Sequence, residues 1–197
     1  MDRITKNSLI FGGLVGGAVA LAQNAAEKRR LTNGQVKDLE ALKEAFNRLQ
    51  DFAKFISFVE TLEFIKEHEP EREYALIGEH LSTKLQELES GRAIIDAFRT
   101  RLNQVLSPRF TAERANDKTH EVQANFSQLT PVPERLETML EKRVEMLKLL
   151  QTGYAYIASG EADDLESTDR KKFSALAAES KALEGRTMVI LGNFKWE

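Results

Sequence analysis

Between Gln35 and Glu67 the apolar positions Val36, Leu39, Leu42, Phe46, Leu49, Ala53 and Ile56 recur in steps of mostly three and four. From Tyr74 to Val105 the repeat is a heptad. One position holds Tyr74, Leu81, Leu88, Ile95 and Leu102, and the other holds Ile77, Lys84, Gly91, Phe98 and Val105. Such spacing puts one apolar seam along each helix and calls for a partner helix against it. Each limb of about 35 residues is roughly 50 Å long as a helix. Between them Glu67-His68-Glu69-Pro70-Glu71 reads as a turn. Matched limbs joined by a short proline-containing turn predict an antiparallel hairpin. Lys84 and Gly91 interrupt the second seam, and that part is expected to be loosely packed or open to a partner.

Thr32 with Gln35 three residues on forms a capping-box pattern that starts the first limb. The second limb stops before Pro108, because a residue ahead of proline is pushed out of the helical region. A thin stripe follows over Phe110–Leu129 (Ala112, Ala115, Val122, Phe126, Leu129), weakest at Asn116-Asp117-Lys118. Thr130-Pro131-Val132-Pro133 marks a boundary, with Pro133 suited to a first helical turn. The next helix, Glu134 to about Ala158, carries Leu136, Leu140, Leu147, Leu150, Tyr154 and Ile157 and stops at Ser159-Gly160. A last helix opens at Asp163-Asp164-Leu165-Glu166 and presents Leu165, Phe173, Leu176 and Leu183, with a cap expected at Gly185. The apolar tail Met188–Trp196 is expected to dock on the bundle. The reading is all-α: a long antiparallel helical hairpin with the C-terminal helices packed along it, a helical bundle over residues 32–197 behind a separate segment, 1–31.

That first segment contains twenty residues without a charge, Asn7 to Ala26, between Lys6 and Glu27. Ser8, Gly12, Gly16 and Ala20 fall on every fourth residue, and Gly13 with Gly17 forms a parallel row. Small residues at this interval let helix backbones approach closely, in a bilayer or an oligomer. Twenty residues just suffice to span a membrane. The stronger basic flank, Lys28-Arg29-Arg30, follows the segment and would keep the bundle on the cytoplasmic side. The competing reading is a secretory signal: Arg3 and Lys6 precede the apolar run, and Ala20-Leu21-Ala22 has cleavage-site spacing. A mature chain would then begin at Gln23. A flexible apolar tail is the third reading. The glycines do not form a nucleotide-binding fingerprint, since Leu14 or Val15 stands at the required third position and Ala18 where a P-loop has lysine.

The distal part of the first limb is aromatic. Phe46, Phe52, Phe55, Phe58 and Phe64 spread around more than one face, so the section is either covered by several neighbours or exposes a partner surface at Phe52, Phe55, Phe58 and Phe64.

Composition narrows the chemistry. Among 197 residues, 42 % are hydrophobic and 30 % charged, a globular balance. The net charge is −3, with acids interspersed among the bases, which argues against nucleic acid as the main partner. Cysteine is absent, so disulfides, zinc thiolates and cysteine nucleophiles are excluded. Three residues before His68, His80 and His120 stand Ile65, Ile77 and Asp117, so the Glu-x-x-His pairs of a di-iron bundle are missing. Glu161, Asp163, Asp164 and Glu166 lack the order of a calcium loop and suit a helix N-terminus. Neither Gly-x-Ser-x-Gly nor His-Glu-x-x-His occurs. No catalytic residue, metal or cofactor is therefore assigned. The expected function is non-enzymatic: a protein-interaction or assembly module, membrane-associated or oligomerising through residues 7–26. The alternatives are an exported soluble helical binding protein, such as a toxin-masking or receptor-like module, and a membrane-inserting pore former.

Overall fold

A computed structural model describes residues 31–56, 58–113, 117–161 and 167–196. Helix α1, Asn33–Phe55, begins at the capping box: Thr32 Oγ1 accepts from the Gln35 N–H (3.1 Å), and Gln35 Oε1 accepts from the Thr32 N–H (2.9 Å). These contacts satisfy two amide groups that a helix start otherwise leaves unpaired. The Gln35 side chain is fully buried, and its amide also donates to the Phe110 carbonyl, fastening the start of α1 to a distant part of the chain.

The first limb is not one continuous helix. Helix α1 ends at Phe55, and a second helix, α2, spans Val59–His68. Burial supplies the reason. Ile56 and Phe58 are both core residues, yet two helical steps would point them about 200° apart. Interrupting the helix turns both inward. After a turn in which Arg72 adopts a left-handed φ of 58°, helix α3, Tyr74–Leu106, runs back as an uninterrupted second limb. Its buried residues, Ile77, Leu81, Leu88, Gly91, Ile95, Phe98, Leu102 and Val105, are the heptad seam. Helices α1 and α2 both pack on it, forming the antiparallel hairpin.

Ser107 ends α3 in an extended conformation (ψ 153°) ahead of Pro108. Two short helices follow, α4 (Pro108–Glu113) and α5 (Asp117–Ser127). From α5, the Gln123 amide donates to the carbonyls of Val105 (2.9 Å) and Ser107 (3.0 Å), pairing acceptors at the end of α3. Helix α6, Pro131–Ser159, begins on its prolines and stops at Gly160, whose φ of 76° is the left-handed cap that glycine favours. It lies along α3.

Helix α7, Ser167–Asn193, packs on α6 and runs straight through Gly185 rather than ending there. The inward row Phe173, Leu176, Ser180, Leu183, Thr187 and Leu191 continues past the glycine in steps of three and four. Burial of Thr187 and Leu191 beyond it offsets a glycine cost of about 1 kcal/mol. The tail docks as expected. Phe46, Phe126, Phe194 and Trp196 form one aromatic group with ring centroids 5.2–5.5 Å apart. The Gln50 amide donates to the Leu191 carbonyl (3.2 Å) and that of Asn125 to Lys195 (3.1 Å), closing the bundle between α7, α1 and α5.

Candidate interaction surfaces

The rows Ser8, Gly12, Gly16, Ala20 and Gly13, Gly17 lie outside the described residues. So does the side chain of Phe55. The other phenylalanines do not form an exposed partner surface. Phe52 and Phe58 are buried and Phe64 is half-buried, each covered by side chains of the bundle itself. Phe52 fills the notch over Gly91: a Cβ there would stand 1.8 Å from Phe52 Cζ. The interruption of the seam at Gly91 is thus a close fit and not a relaxed one. Phe58 meets Phe173 at 5.9 Å between centroids and lies under the Arg143 guanidinium, 5.3 Å from the ring centre.

Arg143 is a core residue that hydrophobic periodicity could not reveal. It is 5 % exposed; its Nε donates to Ser180 Oγ (2.6 Å) and its Nη2 to Glu184 Oε2 (3.1 Å). Burial lowers its pKa, and Glu184 partly opposes that shift. The group joins α6, α7 and the start of α2 at one point.

Phe64 is sandwiched between His68 and His80, with centroids 4.0 Å away on both faces and interplanar angles of 17° and 6°. His68 Nδ1 sits 2.8 Å from the Phe64 carbonyl. His80 Nε2 is buried without a hydrogen-bond partner among the described residues. Lys84 reaches toward Glu60 (3.8 Å) and Glu87 (3.1 Å) at the same contact. Desolvation, with Lys84 and His68 adding to it and Glu87 and Glu60 opposing, holds the His80 pKa below 6.5. The unfolded chain therefore binds this proton more readily, and stability rises with pH between the lowered value and 6.5. Denaturation midpoints should fall as pH drops through that window. His80→Phe keeps the stack and removes the proton site, so its midpoint should fall less over the same interval. Parallel pH curves for the two proteins would contradict this.

An open groove of about 660 Å³ lies between the start of α3 and the end of α6. Ala75, Gly78 and Ser82 line one wall and Ala155 and Ala158 the other. Nothing lies within 4 Å of where a Gly78 Cβ would be. Its floor is tied by Gln151 donating to Ser82 Oγ (2.8 Å), and by Ser82 donating to the Gly78 carbonyl (2.8 Å). Tyr74 stacks on Tyr154, whose hydroxyl donates to Glu69 (3.1 Å). Each helix carries small residues at helical spacing, but only their juxtaposition in the fold makes the groove.

Among the described residues no group of three or more His, Cys, Asp or Glu is placed to hold a metal ion, and no helix is long and apolar enough to cross a membrane. No family model, no curated protein and no solved structure matches the chain.

Proposed function

We propose that the chain is a non-enzymatic assembly module: residues 7–26 hold it at a membrane, and the bundle offers the α3–α6 groove to a helix of another chain. The groove is the observation that carries the reading. Elsewhere the large apolar residues of the seams are used internally, as Phe52 and Phe58 are. Here two helices present Ala75, Gly78, Ala155 and Ala158 to open space. Small side chains at such spacing admit the backbone of a third helix closely enough for van der Waals contact along its length. The rows Ser8-Gly12-Gly16-Ala20 and Gly13-Gly17 follow the same logic in the membrane-facing segment.

Chemical cross-linking of the membrane-reconstituted chain, with Gly16→Leu and Gly78→Leu, tests this. Gly16→Leu adds apolar area and removes a helix-weakening glycine, so the chain should stay with the membrane while losing cross-linked species. Gly78→Leu should fold normally, since the site is open, and also lose cross-linked complexes. A chain that stays in solution and assembles alike in all three forms would overturn the proposal.

A further inference from the structure

Two acids of α7 pair with the neighbouring helix. Glu179 pairs with Lys142 and Glu184 with Arg143, both on α6. On the same helix Lys172 pairs with Glu145 of α6 (2.8 Å). The opposite side of α7 carries Lys171, Lys181 and Arg186, all exposed and without an ion pair among the described residues. The helical period of 100° per residue puts these three within one outward arc. Ala175, Ala178, Ala182, Gly185 and Val189 lie between them, also exposed. That arc holds no acid. Pairing with α6 takes up Glu179, Glu184 and Lys172 and leaves this arc wholly basic, in a chain whose net charge is −3.

From this basic arc we infer that the outward face of α7 lies on an anionic lipid surface. The inference rests on the membrane reading above, and it specifies how the bundle sits. The basic flank Lys28-Arg29-Arg30 after residues 7–26 orients the bundle to the cytoplasmic side, where the leaflet is negatively charged. The short side chains between the cations let a planar surface approach within reach of all three. Attraction of about 1 kcal/mol for each Lys or Arg near such a surface makes the three worth roughly 100-fold in binding. Bulky apolar residues that would plunge into the acyl region are absent from the arc apart from Val189, so the contact is one of charge with headgroups.

The test uses the full chain, with vesicles of phosphatidylcholine alone and of phosphatidylcholine mixed with phosphatidylserine. Wild type should bind the anionic vesicles about 100-fold more tightly than the neutral ones. The triple variant Lys171→Gln/Lys181→Gln/Arg186→Gln should lose that preference while melting as wild type does. A control with equal charge loss elsewhere, Lys37→Gln/Lys66→Gln/Arg92→Gln, should retain it. The inference is overturned if wild type shows no preference for anionic vesicles, or if the two triple variants behave alike. It is also overturned if single-stranded RNA binds the same face and displaces the vesicles, which would assign the face to nucleic acid. Failure of the anchor reading is a separate observation: binding to neutral vesicles that does not depend on residues 7–26.

Discussion

Gly91→Ala is expected to lower stability by about 3 kcal/mol, because the added methyl would occupy space held by the Phe52 ring. The ring lies in the core at 6 % exposure, so it cannot swing into solvent without leaving a cavity between α1 and α3. The expected drop in Tm is about 10 °C at the 2–4 °C per kcal/mol usual for a chain of this size. Gly78→Ala is the internal control: the same helix and substitution, but nothing within 4 Å of the new atom. It should raise stability by about 0.5–1 kcal/mol through helix propensity and reduced unfolded-chain freedom. Phe52→Ala alone should cost about 3–5 kcal/mol. Combined with Gly91→Ala it should cost less than the sum, since the second methyl then enters vacated space. Equal effects of Gly91→Ala and Gly78→Ala would mean that Phe52 does not sit on Gly91.

Arg143→Ala is expected to cost about 3 kcal/mol and to loosen α7 before the rest of the bundle. The substitution leaves Ser180, which is fully buried, without its charged donor. It also removes the cation over Phe58. Glu184→Gln should do much less, because that carboxylate is 36 % exposed and water takes over from the guanidinium. Hydrogen exchange distinguishes local from general loss: amides of α7 should lose protection in Arg143→Ala while those of α3 keep most of theirs. Uniform loss would show that α7 is not a separable layer held by Arg143.

The hairpin was legible because its second limb repeats the heptad five times, and each seam residue from Ile77 to Val105 except Lys84 is buried in α3. Local chemistry was legible at Thr32-Gln35 and Gly160, where a cap is made by the residues that name it. Tertiary burial overrode local signals elsewhere. Ile56 and Phe58 had to point the same way, which split the first limb, and the packing of Leu191 carried α7 through Gly185. Arg143 was invisible to a search for apolar periodicity, since its burial depends on Ser180, Glu184 and Phe58 arriving from other helices. Whether Phe52 and Phe58 face a partner or the core depends on Gly91, Phe173 and Arg143 arriving from other helices, which no spacing encodes. The groove between Ala75, Gly78 and Ala155 required knowing that α6 lies beside the start of α3.

The claim that residues 7–26 remain on the chain and hold it at a membrane is tested most directly by intact-mass spectrometry of the protein recovered from its native membrane fraction. The account predicts a chain that retains residues 7–26, in that fraction and resistant to salt extraction. A chain beginning at Gln23, recovered in solution, would contradict it and make the bundle an exported binding protein.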